Sequence, residues 1–112
     1  MSALILLAVA VVIGLVASLG FHNAKPAAGD VVVRAKDSKF VPVVLTVKTG
    51  PVSFFLDNAD NTLHNFHVVG VKKGTKAMPA NHKTRATIAL APGTYKYHCD
   101  YHTDMKGTLT VS

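Results

Sequence analysis

The sequence predicts an all-β fold, a β-sandwich of about seven to eight short strands, preceded by an N-terminal hydrophobic helix. Beyond residue 29, no stretch longer than about ten residues has helical periodicity without an interrupting Gly or Pro. Short runs of alternating apolar and polar residues recur instead, separated by turn residues. All 6 acidic residues are aspartates, which are poor helix formers.

The N-terminal segment is predicted to act in a membrane or during export. Residues 3–21 carry no charge, and as a helix they would span about 28 Å, close to the roughly 30 Å of a bilayer's hydrocarbon core. No Lys or Arg precedes the run, although small residues near Ser18 suit a signal peptidase. We therefore divide the chain into a signal peptide or membrane anchor at 1–21, a linker at 22–29 and a folded domain at 30–112.

The strands of the domain are assigned from alternation and turn chemistry. Val52, Phe54 and Leu56 fall on one face of a strand that follows the turn at 49–51. A second turn, at 91–93, precedes the strand that ends at Cys99. Packing two sheets face to face leaves the strand ends and loops free to build a site. The predicted strands are 31–35, 45–48, 52–56, 63–69, 84–90, 94–99 and 107–111.

Charge and cysteine content narrow the function classes. The chain has 12 basic and 6 acidic residues, a formal charge of +6, which favours acidic partner proteins or anionic lipid headgroups. We expect no binding to nucleic acid, because export would place the protein outside the cytoplasm. We also expect a monomer. A single cysteine allows no internal disulfide. A lysine cluster is either solvated surface or a docking face, and comprises Lys72, Lys73, Lys76 and Lys83.

One segment combines three metal-binding side chains. Cys99, His102 and Met105 follow a predicted strand at Cys-x2-His-x2-Met spacing, which lets all three point at one ion. A sandwich can bring a middle strand beside this segment, and we expect His64 on that strand to supply a second imidazole. Two histidines, one cysteine and a weakly bound methionine are typical of blue copper sites. The predicted metal ligands are therefore His64, Cys99, His102 and Met105.

The remaining histidines are not predicted to bind this metal. Strand alternation sends His67 to the face opposite His64, and His98 to the face opposite Cys99. His82 lies in a polar loop and His22 in the linker. Met78 is interpreted as a residue that fills a packing gap, with a second thioether site as the alternative.

The domain resembles the cupredoxins, and within them the plastocyanin and amicyanin group, over residues 30–112. Besides the ligand motif, the resemblance rests on Phe40-x-Pro42, the Gly50 turn, His64-Asn65 and the APGTY sequence at 91–95. The spacing between His102 and Met105 is similar to that of amicyanins and shorter than that of plastocyanins. Two positions depart from the family pattern, because Asp100 stands where Ser or Thr is common and Tyr101 where proline is frequent.

The resemblance implies a Greek-key sandwich that holds one copper ion, as Cu(I) or Cu(II), and shuttles single electrons between exported or membrane redox partners. It implies an electron carrier, not an enzyme, in a periplasmic or other extracytoplasmic location. It also implies that Asn65 fastens the two ligand-bearing loops together. His102 would expose its ring edge in an apolar patch whose candidates are Pro42, Met78, Pro92 and Tyr101.

Three other functions use the same residues. A copper carrier or storage protein would keep the ligand set without redox cycling. An enzyme with Cys99 as nucleophile and a histidine base leaves Met105 unexplained. Zinc is chemically conceivable, but structural zinc sites prefer several cysteines and the thioether does not suit catalytic zinc.

Overall fold

A computed structural model describes residues 23–112, and this part of the chain is entirely β. The prediction of an all-β sandwich is confirmed, whereas the helix predicted within 1–21 lies outside the described residues. Within 23–112, no helix has the length and apolar character needed to cross a membrane. The nine strands are β1 (Val31–Lys36), β2 (Lys39–Val41), β3 (Val44–Val47), β4 (Gly50–Asn58), β5 (His64–Val68), β6 (Thr75–Met78), β7 (Lys83–Leu90), β8 (Gly93–Cys99) and β9 (His102–Val111).

The strands form two sheets. One has the order β2-β1-β4-β7 and the other β3-β9-β8-β5-β6. Strand β1 runs parallel to β4, and β3 runs parallel to β9, while the remaining pairs are antiparallel. Because several neighbours are distant in sequence, the chain crosses repeatedly from one sheet to the other, as a Greek-key sandwich requires.

The core between the sheets is built on aromatic packing. Phe66 lies with its ring centroid 5.0 Å from that of Phe54 and 5.2 Å from that of Tyr97. Tyr97 is fully buried, which raises its pKa to about 12, and its hydroxyl donates a hydrogen bond to the Pro42 carbonyl at 2.8 Å. Gly107 lies so close to this ring that a Cβ there would collide with it. The buried tyrosine thereby fixes β8 against β9 beside the predicted metal-binding segment.

The structure has more strands than the sequence predicted. Strands β2 and β6 are short and mostly exposed, so neither has a run of apolar alternation long enough to be recognised. Strand β9 also begins at His102 and not at residue 107, because His102 pairs with Cys99 beyond a register shift that leaves residues 103–105 without partners on β8. The predicted ligand loop is therefore largely a strand.

The described part of the linker lies against β7. The Ala24 amide donates to the Lys83 carbonyl at 3.0 Å, and the Lys83 amide donates to Asn23 Oδ1 at 2.9 Å. The Arg85 guanidinium adds a hydrogen bond to the Lys25 carbonyl. Residues 23–25 thus hydrogen-bond to the sandwich, while the boundary between linker and domain at residue 30 stays a prediction.

Candidate metal centre

The fold brings the predicted ligands to one end of the five-stranded sheet. His64 is the first residue of β5, Cys99 the last of β8 and His102 the first of β9. Asp100 and Tyr101 form the turn between β8 and β9, so that Cys99 and His102 are cross-strand partners. Because β5 pairs antiparallel with β8, the start of one strand lies beside the end of the other.

Three donor atoms form a triangle. The Nδ1 atoms of His64 and His102 are 3.2 Å apart, and Cys99 Sγ lies 3.9 Å from the first and 3.7 Å from the second. His64 and Cys99 are buried, and His102 is partly exposed. The two imidazoles therefore present the same ring nitrogen to the only cysteine of the chain.

The triangle suits a trigonally coordinated metal. Bonds of about 2.0–2.3 Å to nitrogen and sulfur place trigonal ligand atoms roughly 3.5–4.0 Å apart, close to the separations found. Two imidazoles and a thiolate are the donor set of blue copper sites. The residues present therefore fit copper.

Met105 lies in the hydrophobic core on β9. Its side chain is fully buried and belongs to the same buried cluster as Cys99. A thioether is a weak, soft donor of the kind found beside two imidazoles and a thiolate in blue copper sites. Its role as a fourth ligand stays a prediction, as does the assignment of the other three to the metal.

Asp60 supports His64 from the side opposite the triangle. His64 Nε2 lies 2.8 Å from Asp60 Oδ2, and the amides of Asp37 and Ser38 donate to the same carboxylate at 2.8 and 3.0 Å. Burial alone would raise the pKa of Asp60, but the hydrogen bonds from Ser38, His64 and Asp37 lower it to about 2. An ionised carboxylate keeps a proton on Nε2 and leaves Nδ1 free to bind a metal. The role of Asp60 was not predicted, because its only signal in the sequence is its place four positions before His64.

Asn65 joins the two ligand-bearing segments, as the family resemblance implied. Its backbone amide donates to Cys99 Sγ at 3.4 Å. Its side-chain amide donates to Asp100 Oδ2 at 2.7 Å, and the Asp100 amide donates back to Asn65 Oδ1 at 2.7 Å. This reciprocal pair fixes the residue after Cys99 against the residue after His64, so that the triangle is held from outside.

Part of the predicted apolar patch is exposed. Tyr101 and Pro42 are exposed, and His102 is partly exposed. Pro92 is exposed but does not belong to the patch, because it precedes the first residue of β8 and the length of that strand separates it from His102. Met78 is fully buried and does not belong to the patch, because it lies opposite His64 in the β5–β6 ladder and faces the core. The prediction that Met78 fills the core is consistent with this burial.

A second cluster lies on the outer face of the same strands. His67 and His98 point away from Cys99, as strand alternation predicted, and both contact Asp100. Hydrogen bonds from His67 and Asn65, with a further one from His98, lower the pKa of Asp100 to about 2. Nothing in the sequence predicted that these two histidines lie together, because their pairing depends on how β5 meets β8.

Comparison with known proteins identifies the family. The family described as Cupredoxin-like domain matches residues 4–111. An uncharacterized protein of Rickettsia prowazekii (strain Madrid E) is 30% identical over 76 residues, which covers 67% of this chain and 61% of that protein. The chain thus matches less than two thirds of this relative's length.

Solved structures of amicyanin variants resemble this chain. A reduced proline-to-phenylalanine variant superposes with a TM-score of 0.65 at 31% identity. A reduced tryptophan-to-tyrosine variant gives 0.66 at 31%, and a Cu(I) methionine-to-alanine variant gives 0.66 at 30%. Each alignment covers 82% of this chain and 90% of the amicyanin chain.

Proposed function

The chain belongs to the cupredoxin-like family, and from this premise we propose that it carries single electrons on one copper ion held by His64, Cys99, His102 and Met105. The observation that carries the proposal is the triangle of one sulfur and two Nδ1 atoms, with sides between 3.2 and 3.9 Å. When bound, copper supplies a one-electron couple between Cu(I) and Cu(II). A relative of similar fold was solved in a Cu(I) form.

The protein's own residues would hold the donors in one arrangement. Asp60 fixes the ring of His64, and Asn65 fixes the turn after Cys99. Donors held in place on rigid strands need little movement when the charge of a bound ion changes. This rigidity favours electron transfer over release of the metal.

The burial of Cys99 argues against an enzyme that uses it as a nucleophile. The side chain is 1% exposed and packs in the hydrophobic core, so its sulfur is shielded from solvent. Its sulfur faces two imidazole nitrogens and a backbone amide. We therefore propose an electron carrier and not an enzyme.

Electrons would enter and leave through His102. This residue is the partly exposed member of the triangle, and Tyr101 beside it is 59% exposed. The net charge of +6 favours acidic redox partners. Lys72 and Lys73 lie in the β5–β6 turn, at the end of β5 away from His64, and do not line the surface around His102. We propose a monomeric carrier that docks such partners near His102 and binds no nucleic acid.

The location follows from residues 1–21, which we propose direct the chain to the periplasm or another extracytoplasmic compartment, either as an uncleaved anchor or as a cleaved signal. Cell fractionation and mass spectrometry of the mature N-terminus test this directly. Intact Met1 in a membrane fraction supports the anchor. A mature chain that starts after residue 18 supports cleavage, and a cytoplasmic protein contradicts export.

The copper assignment is tested by spectroscopy. Protein loaded with Cu(II) should show an intense thiolate-to-copper absorption that bleaches on mild reduction and returns on oxidation. A colourless complex would contradict the proposal. Slow electron self-exchange combined with rapid copper transfer to a chelator would instead support the carrier or storage alternative.

Met105 has its own test. Replacement of Met105 by Leu should keep the colour and shift the reduction potential, because the axial donor is weak and tunes the site. The matched control is Met78→Leu, which changes a buried methionine on β6, opposite His64 in the β5–β6 ladder. An equal shift in both variants would contradict a specific role for Met105.

A further inference from the structure

The outer face of β5 and β8 carries a group of side chains that copper binding does not use. His67 and His98 are cross-strand partners in the β5–β8 ladder, and Asp100 follows directly on Cys99. The side chains of His67, His98 and Asp100 are 32%, 36% and 41% exposed. They therefore lie on the solvent side of the strands whose other side holds Cys99 in the core.

The three side chains converge on one point. Asp100 Oδ1 lies 2.9 Å from His67 Nδ1 and 2.8 Å from His98 Nε2. The two imidazole rings have centroids 4.8 Å apart and an interplanar angle of 55°. One donor atom from each residue lies within 4.8 Å of the others. Both nitrogens thus point at the same carboxylate oxygen, and a metal ion would replace the protons of these two hydrogen bonds.

We propose that His67, His98 and Asp100 form a second metal site, which takes a divalent first-row cation of the zinc and nickel class. Imidazole suits such ions, whereas magnesium and calcium prefer oxygen ligands throughout. Three protein ligands leave a coordination position for water or for a ligand from another molecule. The site is distinct from the copper site because it contains no sulfur and opens to solvent.

Each donor is held in place before a cation arrives. The ladder between β5 and β8 sets the two histidines side by side. Asp100 is fixed by its two hydrogen bonds to Asn65, which is only 4% exposed. Only Oδ1 of the carboxylate is engaged by the histidines, while Oδ2 accepts from Asn65. A cation would therefore bind without ordering flexible side chains, which lowers the cost of binding.

The decisive experiment titrates zinc into the full-length, copper-loaded protein after removal of any affinity tag. Calorimetry should show one additional zinc per chain while the copper absorption keeps its full intensity. His67→Gln should weaken this binding at least about tenfold, since it removes a ligand. His67 is not part of the copper site, so the variant should keep its colour. The matched control His82→Gln removes an exposed histidine elsewhere and should bind zinc as the wild type does.

A second measurement identifies the atoms without any variant. In the Cu(I) protein, long-range proton–nitrogen NMR should show zinc-dependent shifts at Nδ1 of His67 and Nε2 of His98. The nitrogens of His82 should stay unchanged. The proposal is overturned if wild-type protein takes up no additional zinc, if zinc only displaces copper, or if His67→Gln binds as tightly as wild type. Since colour measures copper and calorimetry measures zinc, failure here is distinguishable from failure of the copper proposal.

Discussion

Strands β5 and β8, with the turn and the start of β9 that follow β8, carry two groups of potential metal ligands on opposite faces. The inner group, which we call the buried cluster, is His64, Cys99 and His102, and the outer group, the exposed cluster, is His67, His98 and Asp100. Alternation places a sulfur in the core and a carboxylate at the surface, so neighbouring residues acquire different chemistry. The comparison shows that the direction of each side chain, and not its position in the sequence, decides which cluster it joins. The buried cluster contains a soft sulfur donor, and the exposed cluster contains only nitrogen and oxygen donors.

The two clusters also differ in what supports them. The buried cluster relies on protein groups, because Asp60 holds His64 and the Asn65 amide reaches Cys99. The exposed cluster shares Asn65 through its side chain but otherwise faces water. Variants that affect one cluster and spare the other can therefore measure how separate they are.

The largest effect is expected from Cys99→Ser. Loss of the thiolate should abolish the intense copper absorption, because the hydroxyl that replaces it is a hard, weak donor. The exposed cluster should keep its zinc, which calorimetry can measure on the same preparation. A Cys99→Ser protein that remained intensely coloured would show that the thiolate is not a copper ligand.

Replacing Asn65 by Ala should disturb both clusters. The variant leaves the Asp100 amide without the Asn65 carbonyl and should lower the free energy of unfolding by about 1–3 kcal/mol. Urea unfolding of the copper-free protein measures this change. Asn61→Ala is the matched control, since Asn61 is exposed in a loop. Equal stability of the two variants would show that the hydrogen bonds between Asn65 and Asp100 do not stabilise the fold.

Asp60→Asn should affect the buried cluster alone. A neutral amide holds the imidazole of His64 less firmly, and loss of such a partner typically weakens metal binding by about 10–100-fold. Competition with a copper chelator measures the affinity. Asp57→Asn changes a nearby aspartate on β4 and should have no effect on copper. An Asp60→Asn protein that binds copper as tightly as wild type would refute the role of Asp60 in holding His64.

The smallest effect on stability is expected from a change at Asp30. This residue lies away from both clusters, so the variant shows the effect of a charge that no metal ligand contacts. Its carboxylate accepts hydrogen bonds from Arg85, the Ala27 amide and Ser53, and these lower its pKa from 3.8 to about 2. A lowered folded-state pKa adds stability above pH 4, roughly the unfolded value, and that stability is lost as pH falls towards about 2.

The difference in free energy of unfolding between wild type and Asp30→Asn should therefore be largest near neutral pH. It should shrink as pH falls from about 4 to 2. Urea midpoints of the copper-free proteins, compared at pH 6 and pH 2.5, measure it. A difference that grew in acid would contradict the assigned charge state of Asp30.

The sequence predicted the features that depend on local pattern. Alternation placed His67 and His98 away from the core, and the spacing of Cys99 and His102 indicated a shared site. The fold class followed from short alternating runs, because each strand long enough to bury one face shows that period. These features need only the direction of each side chain along its own strand.

The sequence did not predict contacts that depend on how strands pair. Asp60 reaches the amides of Asp37 and Ser38, which lie more than 20 residues earlier in the chain, because β1 pairs with β4 and brings the turn after β1 beside the loop after β4. The short strand β6 and the burial of Met78 likewise depend on pairing with β5. Such contacts are set by tertiary structure and leave no periodic signal in the local sequence.

The two-residue turn between Cys99 and His102 limits how this protein can evolve. The two residues face each other across the hairpin, and the register then shifts, because His98 pairs with Lys106 and residues 103–105 have no partner on β8. An insertion at the tip would change the spacing of Cys99 and His102, whereas substitutions at Asp100 and Tyr101 keep it. Lineages that diversify from this chain should vary the identity of these two residues and preserve their number.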